Sequence, residues 1–242
     1  MESKYIAYDF LKSFDRIDDI LSGSDTDYND ADSIPARSQL TFRNGFYVNC
    51  SALFIDIRKS SELAGKYKRP TLAKLYRAYV SECVAVASGN PLCAEVSIVG
   101  DCVSGVFDTP YQTNIDSVFS VAFTLASLIK TLNYKLRMHD IEPIAVGIGI
   151  AYGRALMVKA GYNGSQINDV VWIGEVVNEA SHLGAYANSS WLDKEIMVSR
   201  IFYDNLNDEN KELLQLNSGR DCYQGDVISL AMEAWYNTNC KD

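Results

Sequence analysis

The stretch Cys93–Phe107 reads CAEVSIVGDCVSGVF. Val96, Ile98 and Val99 precede Gly100-Asp101, and Val103, Val106 and Phe107 follow it. A Gly-Asp pair between β-branched runs predicts a tight hairpin. Such a hairpin leaves the Asp101 carboxylate at the tip of two buried strands. The stretch ALFID, residues 52–56, sets a second carboxylate in a like place, where an apolar strand ends in Asp56 and runs into IRKSSEL. Two strand-end aspartates on rigid backbone are suited to share hard cations.

Working outward from this pair, residues 1–23 carry an amphipathic helix closed by Ser22-Gly23. It is too short to be a domain and is expected to pack on the core or on a partner subunit. Residues 24–44 are polar, hold Pro35 and read as a linker. Phe46 to Asp56 is the first core strand, and helices follow at about 60–67 and from Pro70 to about Ala87. After the hairpin, Ile115 to Met138 is a long helix with Phe119, Ala122, Leu125, Ile129 and Leu132 on its buried side. Ile144 to Tyr152 reads as a strand, Gly153-Arg154 as a turn, and Ala155 to Ala160 as another strand. A short strand at 170–173, a helix at 174–188, a strand at 195–199 and a short helix at 201–205 come next. The tail alternates at 222–223 and 227–236. The order β-αα-ββ-α-β, then β-α-β, predicts an α+β domain with a ferredoxin-like split βαβ core. Its sheet should be mainly antiparallel, with helices on one face and an N-terminal helix added. The expected division is residues 1–44 as helix and linker, 45–236 as the main domain and 237–242 as a tail.

The chain has 242 residues, 48% hydrophobic and 22% charged, which is enough for one real core. Its net charge of −9 argues against a general nucleic-acid binder. Arg58, Lys59, Lys66, Lys68 and Arg69 form a local basic run. That run suits an anionic ligand, although the last three also fit a solvated helix face. The six cysteines include no C-x-x-C pair, so zinc and redox motifs are not expected. No signal peptide and no apolar run near 18 residues is read from the sequence. A cytoplasmic protein with free thiols, no nucleic-acid partner and no membrane partner is the expectation.

Three groups carry chemistry. Asp56 and Asp101 are either turn and cap residues or ligands of two divalent cations that activate an attacking oxygen and stabilise a leaving phosphate. Ile57 to Ser61, IRKSS, opens a helix directly after the first aspartate. Its free N–H groups favour phosphate, while Ser60 or Ser61 could also simply cap the helix, and both can hold. Asn178 and His182 stand i, i+4 on a helix of small residues, WIGEVVNEASHLGAYA, where a solvated face is the plain alternative. With only two histidines, the sequence makes no case for a Ser-His-Asp triad or a His-rich metal site.

Together the three stretches resemble the class III nucleotidyl cyclases. FIDIRKSS is similar to that family's F-x-D-I-R-G-F-T metal motif, SIVGD to its K-x-I-G-D motif, and IGEVVNEASHL to its G-D-x-V-N-x-A-S-R helix. The order and spacing of all three cover about residues 46–236. The soluble single-domain form and the substitutions below resemble a narrower group, the bacterial pyrimidine cyclases of the Pycsar antiphage system.

By position the resemblance implies that Asp56, Asp101 and the Ile57 carbonyl hold two Mn2+ or Mg2+ ions. It implies that Asn178 helps hold the ribose and the reacting phosphate, and that a head-to-tail homodimer forms its active sites between subunits. The metal aspartates would then come from one chain and the Asn178 helix from the other. The family's base-reading lysine is Ser97 here and its partner position is Val171, so a purine-reading pair is missing. The phosphate-stabilising arginine is His182, which leaves His182, Arg58 or Arg154 to supply the transition-state cation. In the metal loop Gly becomes Lys59 and Phe becomes Ser60, followed by Ser61.

The implied function is a pyrimidine cyclase that converts UTP to 3′,5′-cyclic UMP and pyrophosphate by two-metal attack of the ribose 3′-OH. The product would act on a separate cyclic-nucleotide-binding effector in antiphage defence. A cytidylate cyclase making cyclic CMP from CTP is the alternative. A degenerate cyclase-homology domain that only binds nucleotide or dimerises is the alternative from a different class.

Overall fold

The computed structural model describes residues 5–163 and 167–240. In chain order the elements are α1 (Phe10–Leu21), β1 (Tyr28–Asp30), β2 (Gly45–Ile57), α2 (Ser60–Lys66), α3 (Arg69–Ser88), β3 (Cys93–Val99), β4 (Cys102–Asp108) and α4 (Gln112–Arg137). They continue with β5 (Val146–Gly161), β6 (Asn168–Ile173), α5 (Glu175–Tyr186), β7 (Ile196–Val198), α6 (Arg200–Asp204), α7 (Asp208–Glu212), β8 (Gln215–Asn217), β9 (Cys222–Gly225) and α8 (Leu230–Asn239). One sheet runs β3-β4-β2-β5-β7-β9-β8, with β1 added to β2 and β6 to β5. Only the β1–β2 and β5–β7 pairs are parallel, so the expected mainly antiparallel sheet holds.

The period of 2 along β2 sorts its side chains between two layers. Leu53, Ile55 and Ile57 face α3 and α4 and bury with Tyr79, Phe119, Leu125, Ile148 and Ile150. Val48, Cys50 and Ala52 face the other way and bury with Ala151, Val176 and Ala180 of α5. Helices therefore cover both faces, a correction to the expected single helical layer. Small residues make the second layer possible. A Cβ on Gly149 would lie 2.0 Å from the Gly184 nitrogen and 2.2 Å from the Ala180 oxygen, so α5 sits directly on the backbone of β5.

Three local readings are corrected by tertiary partners. Gly153-Arg154 is not a turn, because β5 runs unbroken from Val146 to Gly161 and pairs residue for residue with the equally long β2, Gly153 opposite Cys50. The stretch read as a linker contributes β1, which pairs with the first residues of β2. The alternation at 227–236 is the start of α8, capped by the Ser229 side chain, and no strand. α4 is apolar enough over 18 residues to cross a membrane by length and composition. It is instead the core helix, with Ile115, Phe119, Ala122 and Leu125 fully buried. α1 covers only Phe10–Leu21 of the stretch read as helix, N-capped by Asp9 with residues 5–9 outside it, and Phe10, Leu11, Phe14 and Leu21 are exposed rather than buried against the core.

Candidate active site

The hairpin forms as the sequence requires. β3 and β4 pair from Cys93 to Phe107 through a two-residue turn, with Val99 opposite Cys102. Gly100 takes φ +66, the position where a tight hairpin wants glycine first. That turn sets Asp101 at the tip of β4, which is also the strand beside β2. Asp56 lies one residue beyond the last β2–β4 pair, Ile55 with Val103. The two carboxylates consequently meet.

Their contact is electrostatically strained. Burial, then the adjacent Asp101 carboxylate, pushes Asp56 up to about 6, against a weaker lowering pull from Arg58. Asp101 Oδ2 is buried and has no hydrogen-bond partner among the described residues. A pair of carboxylates pressed together, one with an orphaned buried oxygen, is a hard-oxygen donor set that a divalent cation would satisfy. The residues present thus fit divalent-metal binding. Among the described residues no cluster of three or more His, Cys, Asp or Glu side chains adds to the pair.

The loop after Asp56 is built differently from expectation. Lys59 takes the N-cap position of α2 in a left-handed conformation, φ 55, with no side-chain cap. Neither Ser60 nor Ser61 caps the helix.

Arg58 is pinned. Its Nη1 donates to the Ala185 carbonyl at 2.7 Å, and its Nη2 reaches the Asp56 carboxylate at 3.4 Å. Arg154 is paired with Asp30 and stacks over the Tyr47 ring at 4.3 Å. Both arginines are thus engaged by groups of their own chain. Asn178 and His182 lie on the exposed side of α5, opposite the buried Val176, Ala180 and Leu183. No hydrogen bond or ion pair among the described residues joins them to Asp56 or Asp101.

Ser97 and Val171, far apart in sequence, line one cavity of about 250 Å³ between β3, β4, β6 and α5. The same cavity is lined by Glu95 and Trp172, which sequence reasoning missed. Glu95 stands two residues before Ser97 and so on the same face of β3, a signal that the alternation already contained. Its partner Arg37 comes from the segment read as a linker and had no local signal at all.

Comparison with known proteins follows the same lines. The sequence profile of the adenylate and guanylate cyclase catalytic domain matches residues 44–222. A uridylate cyclase from Gulbenkiania mobilis is 43% identical over 213 residues, 85% of this chain and 82% of that protein. A uridylate cyclase from Treponema porcinum is 36% identical over 239 residues, 97% of this chain and 83% of that protein. The crystal structure of the adenylyl cyclase CyaB from P. aeruginosa superposes with a TM-score of 0.60 at 22% identity, over 71% of this chain and 85% of that one. With its profile match, its relatives and its paired strand-end aspartates, the chain belongs to the adenylate and guanylate cyclase catalytic-domain family, the class III nucleotidyl cyclases.

Proposed function

We propose that this protein is a uridylate cyclase, converting UTP to 3′,5′-cyclic UMP and pyrophosphate. One observation carries the reaction type: the Asp56 and Asp101 carboxylates converge at the tips of neighbouring strands with a buried oxygen left unpaired. The two uridylate cyclase relatives, similar over more than four-fifths of the chain, carry the substrate.

Asp56, Asp101 and the Ile57 carbonyl would hold two divalent cations, Mn2+ or Mg2+. When bound, such ions lower the pKa of the ribose 3′-OH and neutralise the leaving pyrophosphate. Arg58 keeps Asp56 oriented by tying the end of β2 to the end of α5. Lys59, Ser60 and Ser61 lie three to five residues after Asp56, where β2 gives way to α2, and suit the triphosphate. Ser97 and Val171 flank the base in their shared cavity, and a valine offers no acceptor to an exocyclic amine. The Val171 side of the cavity therefore disfavours a base that places an exocyclic amine there, as adenine, guanine and cytosine can and uracil cannot.

Asn178 would align the ribose and α-phosphate, with His182 beside it on the next turn of α5. Both are exposed on the α5 face turned away from their own sheet, which suits an active site completed by a second copy of the chain. The working form in this reading is a homodimer with two composite sites. Cyclic UMP then leaves as a signal for a separate cyclic-nucleotide-binding effector.

The test is competition among ATP, GTP, CTP and UTP at equal concentration with Mn2+, products separated by chromatography. Cyclic UMP is expected as the main product. Cyclic AMP or cyclic GMP as the main product would remove the pyrimidine reading, and cyclic CMP would remove the preference for UTP.

A further inference from the structure

The cavity that holds Ser97 and Val171 also holds a buried, oriented carboxylate. The Glu95 side chain is only 8% exposed. Its Oε2 accepts from Trp172 Nε1 at 3.1 Å and is ion-paired with Arg37 Nη2 at 3.0 Å. Arg37 is held in turn by Asp169 at 3.3 Å, so β3, β6 and the N-terminal segment are tied together at this point. The other oxygen, Oε1, has no donor among the described residues, and Glu95 lines the cavity. Ser97 and Ser104 stand beside it as a cross-strand pair.

We propose that Glu95 is the specificity-determining acceptor of this cavity, presenting Oε1 to the N3–H of uracil while Arg37 and Trp172 fix its orientation. It rests on the uridylate cyclase reading and adds the group that reads the base. An ionised carboxylate only accepts hydrogen bonds. Uracil offers one ring N–H between two carbonyls, and the hydroxyls of Ser97 and Ser104 can donate to those carbonyls. Cytosine turns a lone pair at N3 toward the same oxygen, which opposes binding. Arg37 is a positioning residue here, because it touches Glu95 and not the base.

The experiment measures kcat/KM for UTP and for CTP in the wild-type protein, Glu95→Gln and Arg37→Gln, with thermal melting to check folding. An amide at position 95 can keep its oxygen on Trp172 and Arg37 and turn its NH2 into the cavity, a donor that suits cytosine N3. The UTP:CTP ratio should therefore fall by about 10-fold or more in Glu95→Gln, since sites built on hydrogen bonds discriminate strongly. In Arg37→Gln the ratio should fall less, chiefly through a higher KM for UTP. This second variant alters a side chain 57% exposed and serves if Glu95→Gln does not fold. Equal losses for both nucleotides, or an unchanged ratio, in a wild type that makes cyclic UMP would overturn this inference alone. A wild type that makes mainly cyclic CMP would overturn the uridylate reading and this inference with it.

Discussion

Asp56 and Asp101 press their carboxylates together from two adjacent strands, and Asp101 keeps one oxygen buried without a partner. Like charges held this close destabilise the free protein and prepare it for a cation. Asp101→Asn should therefore separate stability from activity. Turnover should drop by at least about a thousand-fold, as for loss of a group acting in the transition state. The melting temperature in chelator should rise slightly, by a few degrees at about 1 kcal/mol. A parallel loss of stability and activity would contradict the reading of Asp101 as a tip ligand outside the core.

The exposed placement of Asn178 and His182 leads to a complementation result. Asp101→Ala and Asn178→Ala should each be inactive alone. Mixed under conditions of subunit exchange, each heterodimer should carry one intact site, and activity should return. Demonstrated exchange without recovery would place both residues in one chain's site.

The close seat of α5 on β5 makes Gly149 sensitive. Gly149→Ala puts a methyl 2.0 Å from the Gly184 nitrogen and 2.2 Å from the Ala180 oxygen, backbone atoms that cannot rotate away. Destabilisation of about 3 kcal/mol or more is expected in chemical denaturation, with activity lost as α5 shifts. A variant within 1 kcal/mol of wild type, by the same measurement, would mean that α5 does not rest on this strand.

Much of this site is legible in the sequence because its signals are local. The Gly-Asp turn, the strand ending in Asp56 and the small-residue helix of Asn178 each declare themselves within about a dozen residues. What the sequence hides is set by distant partners. Gly153-Arg154 imitates a turn, and only the matching length of β2 shows that β5 continues through it. Arg37 looks like a linker residue until Glu95 and Asp169 are brought to it. Arg58 looks like a free cation until the Ala185 carbonyl is found beside it. The helix on the second face follows from Gly149 and Gly184 meeting, a contact that periodicity cannot reveal.

Glu195 at the head of β7 gives a pH signature. Burial, then nearby Asp226, pushes its carboxyl up to about 7, from an ordinary value of 4.5. A raised carboxyl binds more protons folded than unfolded between those two values. Stability from this group is full below about 4.5, falls as pH rises towards 7 and stays lower above it. The loss is on the order of 3 kcal/mol. Glu195→Gln should flatten that slope and leave the variant more stable than wild type at pH 8, read by denaturant titration across pH. An unchanged slope would show that the group ionises freely in the folded protein.

If the Asp56–Asp101 pair drives intramolecular phosphoryl transfer on UTP, cyclic product and pyrophosphate must form together. The direct measurement incubates purified protein with UTP and Mn2+ and quantifies 3′,5′-cyclic UMP and pyrophosphate together. The predicted result is one pyrophosphate for each cyclic UMP, abolished by chelator and by Asp101→Asn. Hydrolysis of UTP to UDP or UMP without cyclic product, or cyclic UMP formation that survives chelator or the Asp101 substitution, would contradict it.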